Sequence, residues 1–91
     1  MFDETAEIIA LKAVGFVISN DDLRDRFMAL SGVDEEMIKT AVHDRTFLIS
    51  VLEFFVNFEP DLIAFATKED IPPESITKAW RTLGGGTGQD W

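Results

Sequence analysis

The chain of 91 residues has no cysteine, no tyrosine and a single histidine. The absence of cysteine excludes disulfide bonds, zinc sites built on thiolates and a cysteine nucleophile. Basic residues are also few: 8 Lys and Arg stand against 17 Asp and Glu, which gives a formal net charge of −9. Nucleic acids and anionic lipids attract proteins mainly through basic side chains, so this charge opposes both kinds of partner.

Long apolar runs are missing as well. No uncharged segment approaches the ~20 residues needed to span a bilayer, so we do not expect membrane insertion. The amino terminus, MFDETAE, is acidic where a secretory signal would be basic, which favours a cytoplasmic protein. The length suits one domain, assigned to residues 1–83, followed by a flexible glycine-rich tail at 84–91. For Trp91, at the end of that tail, disorder is favoured over docking on the domain.

Residues 45–58 form the most apolar stretch and contain four of the eight phenylalanines. At about 100° per residue, the polar residues of this stretch fall on one narrow stripe, and apolar side chains cover the remaining circumference. The polar residues are Thr46, Ser50, Glu53 and Asn57. This pattern predicts a central helix that other helices contact on several sides.

Capping residues and prolines divide the rest of the chain into short helices. Asp34 and Asp44 are each expected to cap a helix, Gly32 to end one, and Pro60 and Pro73 to lie in first turns. The predicted helices are residues 4–19, a segment from the capping signal at 19–22 to about 31, 35–42, 45 to about 58, 61–69 and 73–83. No sustained alternation indicates a strand. The predicted fold is all-α, a compact single-domain bundle of five to six short helices.

The first predicted helix is apolar on nearly every side between residues 8 and 18. It is therefore either buried on several sides, the interpretation with more weight, or reserves one face for another molecule. The candidate contact positions for such a face are Ile9, Phe16 and Val17, with Phe2 at the edge. Gly15 is expected at a close contact, because glycine within a helix costs ~1 kcal/mol relative to alanine.

Residues 62–83 resemble a helix-turn-helix element, with Ala66, Asp70 and Ile76 at the spacing that lets two helices pack closely. Its second helix offers Lys78 and Arg81 as nucleic-acid contacts. The acidic surroundings lack the basic surface of a DNA reader, so we do not expect nucleic-acid binding and keep this function as the alternative.

Catalytic and ligand signals are weak. His43 has no partners at metal-ligand spacing, and no serine or carboxylate pair has the setting of a nucleophile or an acid–base couple. Glu53, on the polar stripe of an apolar helix, is the one carboxylate with a distinctive setting. A ligand cavity around Phe47, Phe54 and Phe58 rests only on aromatic richness. We predict no cofactor, no metal and no enzymatic activity.

The order of these signals resembles a family of small, all-helical bacterial domains of unknown function, about ninety residues long. The segments that carry the resemblance are FMALSG at 27–32, FL at 47–48, FF at 54–55, DLIAFA at 61–66, IPPE at 71–74 and LGG at 83–85. The resemblance implies Gly before Ile71, where this sequence has Asp70. It implies no activity. The favoured function is a non-enzymatic protein-interaction or structural domain, with a protein partner or self-association.

Overall fold

A computed structural model of the chain describes residues 4–85, except for the side chain of Glu4. This part contains six α-helices and no strand, so the predicted all-α fold is confirmed. The helices are α1 (Glu4–Ser19), α2 (Asp21–Ser31), α3 (Glu35–Ala41), α4 (Arg45–Val56), α5 (Glu59–Glu69) and α6 (Pro73–Leu83). Two bounds differ from prediction by two residues: α4 ends at Val56, and α5 begins at Glu59 because Pro60, lacking an amide hydrogen, fits within its first turn.

Helix α4 is the centre of the molecule, as its sequence predicts. It packs against α1, α2, α5 and α6. Its buried side chains are Phe47, Leu48, Val51, Leu52, Phe54 and Phe55. The polar stripe remains accessible, with Thr46, Glu53 and Asn57 exposed and Ser50 half-buried. A helix that is apolar around most of its circumference thus obtains neighbours on most sides.

The predicted caps account for the helix boundaries. The side chain of Asn20 accepts a hydrogen bond from the Leu23 amide at 3.3 Å, and that of Asp34 accepts one from the Met37 amide at 2.8 Å. Asp44 Oδ1 accepts from the Thr46 amide at 2.9 Å. These side chains satisfy amide groups that have no partner within their helices.

Asp70 forms the turn between α5 and α6 in the left-handed region, with φ 57° and ψ 46°. It is the one residue other than glycine with a positive φ in the described part of the chain. Glycine enters this region most cheaply, and aspartate enters it more readily than most residues. This conformation explains why the family resemblance implies Gly at a position where the chain has Asp70.

A connected set of phenylalanine rings links four helices across the core. Phe27 of α2 lies 5.5 Å from Phe54 of α4, measured between ring centroids. Phe55 of α4 stacks on Phe65 of α5 at 5.0 Å, and Phe16 of α1 lies 5.4 Å from Phe65. Such ring pairs add stabilisation beyond their buried area. The aromatic richness of the sequence is therefore used mainly for internal packing.

Two glycines terminate α6. Gly84 adopts φ 118°, and the Gly85 amide donates a hydrogen bond to the Trp80 carbonyl at 2.7 Å. A Cβ atom on Gly85 would overlap the Trp80 indole ring. Both glycines therefore belong to the packed end of the helix. Residues 86–91 lie outside the described residues, and with them most of the predicted tail and the docking of Trp91.

Removing core volume from α4 should destabilise the protein far more than removing its exposed carboxylate. Leu52 is 0% exposed, so Leu52→Ala should lower the free energy of unfolding by ~3 kcal/mol or more through lost transfer energy and a cavity. Glu53→Ala on the exposed stripe should change it by less than ~0.5 kcal/mol. Urea denaturation measures both, and similar midpoint shifts would contradict the placement of α4.

Substitutions at two glycines should change the stability of the fold in opposite directions. Gly85→Ala should destabilise the fold by ~1–3 kcal/mol, because the new methyl group overlaps the Trp80 ring. A Cβ atom on Gly15 meets no atom of residues 4–85 within 4 Å, so Gly15→Ala should raise stability by ~0.5–1 kcal/mol through helix propensity. Thermal melting of the two variants beside the parent tests the pair. A stabilising Gly85→Ala would contradict the packing at Trp80.

Candidate interaction surface on the first helix

Helix α1 turns its small side chains inward and several of its large ones outward. Its buried residues, each no more than 5% exposed, are Ala6, Ala10, Ala13, Val14 and Val17. Ile8, Leu11 and Ile18 are 47%, 40% and 36% exposed. Burial of apolar surface is the main stabilising force in folding, so a helix ordinarily buries its largest aliphatic side chains first. In α1 three alanines are buried while three larger aliphatic side chains stay exposed, and we call this the reversed distribution, although Val14 and Val17 also lie in the core.

The outward-facing residues form one line along the helix. Ile8, Leu11, Gly15 and Ile18 follow each other at intervals of three, four and three residues, and at about 100° per residue they fall within an arc of roughly 80°. We call these four residues the exposed stripe. It lies opposite the buried alanines and extends for about 15 Å at 1.5 Å per residue. The spacing is that of a seam between two packed helices.

Gly15 has no packing role within the described residues. The predicted close contact is not found there, since Gly15 is exposed and a Cβ atom would meet nothing within 4 Å. Space for a larger side chain is therefore available on this face of α1. Any close approach to Gly15 has to come from another molecule or from residues that the structure does not describe.

The positions predicted for an interaction face lie elsewhere on the helix. Val17 is 2% exposed and belongs to the core. Phe16 is half-buried, with its ring 5.9 Å from Phe55. Ile9 is half-buried beside α6, and Phe2 lies outside the described residues. The most exposed aliphatic side chains of α1 therefore lie on the exposed stripe, whereas Ile9, Phe16 and Val17 are partly or fully buried.

The spacing of small residues in the sequence indicates which face of α1 is buried. Ala6, Ala10 and Ala13 recur at intervals of four and three residues, which places them on one side of a helix. Small residues on one side allow a neighbouring helix to approach closely, so the alanines mark the buried face. Hydrophobicity alone missed this distinction, because isoleucine and leucine score higher than alanine wherever they lie.

One charged residue beside the stripe, Lys12, is paired within the same molecule. Lys12 follows Leu11 on α1, and its Nζ atom lies 3.7 Å from Glu69 Oε1 on α5. The Lys12 side chain is 48% exposed, so this ion pair adds little stability. Its consequence for the surface is that the positive charge beside the stripe is already partly compensated. The four stripe residues themselves are uncharged.

The helix pair α5–α6 reproduces part of the helix-turn-helix arrangement. Ala66 is 3% exposed and Ile76 is 0% exposed, with the left-handed Asp70 between their helices. Lys78, however, lines an open cavity of about 270 Å³ between α1 and α6, together with Ile9. Lys78 is nevertheless exposed, so it borders this cavity and remains accessible. Arg81 is exposed.

The predicted phenylalanine cavity is replaced by packed rings and an open groove. Phe47 is buried beside Phe27, 6.0 Å between centroids. Phe54 and Phe58 line a groove of about 500 Å³ between α2 and α4, with Glu53 among its other lining residues. The Arg26 guanidinium lies 5.7 Å from the Phe54 ring and also donates a hydrogen bond to Asp61 at 2.7 Å.

Metal ligands do not cluster in the described residues. His43 is exposed at the end of α3, and residues 4–85 contain no group of three or more histidine or carboxylate side chains arranged to hold a metal ion. Within the same range, no helix combines the length and apolar character required to cross a membrane.

These features define a small six-helix, all-α domain. The chain belongs to the family described as "Protein of unknown function (DUF3572)", whose model matches residues 3–86. The resemblance seen in the sequence is thereby confirmed. Searches of curated proteins and of solved structures each gave no match.

The charge distribution leads us to expect no selective DNA binding. The affinity for DNA should be no tighter than the ~10⁻⁶ M of ordinary non-specific binding at physiological salt. The reason is that the chain has many more acidic residues than the few basic side chains of α6 can offset. Changing both Lys78→Ala and Arg81→Ala should leave that affinity nearly unchanged. A mobility-shift titration measures this, and a sequence-selective, salt-sensitive shift abolished by the double change would overturn the expectation.

Proposed function

We propose that this domain is a non-enzymatic protein-interaction module that binds its partner through the exposed stripe of α1. The observation that supports the proposal is the reversed distribution of side chains in that helix. Ile8, Leu11 and Ile18 face solvent, while the alanines of the same helix are buried. A helix that keeps large aliphatic side chains exposed in a regular line has the surface expected of a binding site.

The energetics favour an apolar partner. Fully burying an isoleucine or leucine contributes ~1.5–3 kcal/mol, and roughly two fifths of each of these side chains remains accessible in the folded domain. Covering all three therefore contributes on the order of 2–3 kcal/mol before the costs of association. The stripe itself includes no charged residue, although Glu7 and Lys12 flank it, so burying its four residues removes none of their own charge from water.

The shape of the surface favours a helix as the binding element. Residues at intervals of three and four form a single ridge, and a ridge of this kind packs between the side chains of a second helix. Gly15 interrupts the ridge in its middle, where a partner side chain can approach the α1 backbone. The partner is accordingly a protein that presents an apolar helix.

A second candidate function is a degenerate helix-turn-helix domain at 62–83. The left-handed Asp70 and the buried pair Ala66 and Ile76 support it. It ranks lower because the net charge of −9 repels nucleic acid.

Site-specific photocrosslinking tests the proposed surface. A photoreactive residue at position 11 should form a protein adduct in the native cell, while the same residue at position 63 should not. Ile63 is a matched control because it is 44% exposed, close to the 40% of Leu11, but lies on α5. The adduct at position 11 should disappear when Ile8→Glu is introduced, and melting should change little because Ile8 is exposed.

The proposal fails under two results. Equal adduct yields at positions 11 and 63 would show that the surface of α1 has no special affinity. Unfolding by Ile8→Glu would show that this side chain belongs to the core, and the reversed distribution would then lose its meaning.

A further inference from the structure

We infer that the exposed stripe binds a second copy of this chain, with the two α1 helices antiparallel and related by a two-fold axis that crosses the stripe at the level of residue 13. This inference rests on the proposed function, because it names the partner of the same surface. The basis is the order of residues along the stripe. Ile8 and Ile18 each lie five positions from residue 13, and Leu11 and Gly15 each lie two positions from it.

A two-fold axis brings equidistant positions on the two helices opposite each other. In a symmetric dimer every contact occurs twice. If residue i of one copy contacts residue j of the other, residue j of the first copy also contacts residue i of the other. Antiparallel pairing around residue 13 therefore sets Ile8 against Ile18 at both ends. At the two inner positions it sets Leu11 against Gly15. All four stripe residues thus meet a complementary residue of the other copy.

The inner pairing explains the glycine. Among residues 4–85, a Cβ atom on Gly15 would meet no atom within 4 Å, so these residues leave the space above it open. Leu11 is 40% exposed one helical turn away and is the side chain that this space would receive from a second copy. Parallel pairing would instead place Gly15 opposite Gly15 and leave a gap at the centre of the contact. Close packing therefore selects the antiparallel arrangement.

The size of the surface predicts a weak dimer. A stripe of about 15 Å buries much less than the ~800 Å² per partner of a standard stable interface. Each copy also has a net charge of −9, so the two copies repel each other at low ionic strength. Salt should screen this repulsion and strengthen the association. A basic partner would show the opposite salt dependence.

The absence of cysteine makes the register directly measurable. Single variants Ile8→Cys and Ile18→Cys are mixed and treated with a short bismaleimide crosslinker. The antiparallel dimer should give at least five times more of the mixed dimer than of either homodimer, with Ile63→Cys as the unreactive control. Homodimers of Ile8→Cys as the main product would overturn the antiparallel arrangement.

A second substitution tests the contact between Leu11 and Gly15. Gly15→Leu adds apolar surface at an open position and should leave melting intact, yet it should weaken the dimer at least tenfold by filling the space that Leu11 of the other copy occupies. Sedimentation equilibrium measures the change. General hydrophobic adhesion would instead strengthen with Gly15→Leu, and that result would overturn the inference.

The two proposals fail in different ways. If the purified protein sediments as a monomer at millimolar concentration while the photoadduct at position 11 contains a different protein, the self-association is wrong and the interaction surface stands. If position 11 gives no adduct of any kind and no dimer forms, both are wrong.

Discussion

The fold depends on the need of α4 to be covered. This helix is apolar around most of its circumference, and it lies in the middle of a short chain of 91 residues. Four of the other five helices pack against it. Their apolar faces are used for that purpose, and the phenylalanine rings extend the contact from α2 through α4 to α5 and α1. Once α4 is surrounded, little protein remains to cover the outer face of the helices around it.

Helix α1 shows the consequence of this constraint. Its alanine face allows it to approach its neighbours closely, and it packs against α2, α4 and α6. Residues 4–85 provide no covering layer for the opposite face, where Ile8, Leu11 and Ile18 are exposed. Most helices in this position would have polar residues there, as α2 does with its exposed Asp21, Asp22 and Asp25. The aliphatic residues of the exposed stripe therefore require an explanation outside the monomer core, and association with another helix supplies one.

The helix boundaries were predictable because they depend on local chemistry. Asn20, Asp34 and Asp44 cap helices through their own side chains, and Gly32 ends α2 through a conformation that glycine favours. The identity of the central helix was also predictable, since a helix that is apolar on most sides must be surrounded. These features need no knowledge of which helix packs against which.

The exposed face of α1 was not predicted, because its orientation depends on tertiary packing. Ile8 and Val17 are equally suited to a core by hydrophobicity, yet one is 47% exposed and the other 2% exposed. The positions of α2, α4 and α6 decide which side of α1 is buried, and the spacing of the alanines is the one sign of that side in the sequence. The family match does not supply the missing information, since its description assigns no function.

Self-association through the exposed stripe is tested most directly by the concentration dependence of backbone amide chemical shifts. Spectra of the ¹⁵N-labelled protein are compared between about 20 µM and 1 mM, at moderate salt to screen the charge of −9. Contact between the stripes of two copies should concentrate the shifts at four residues and leave Ile63 unchanged. The four residues are Ile8, Leu11, Gly15 and Ile18. Shifts confined to the groove around Leu30 and Phe58, or no shifts over the whole range, would contradict it.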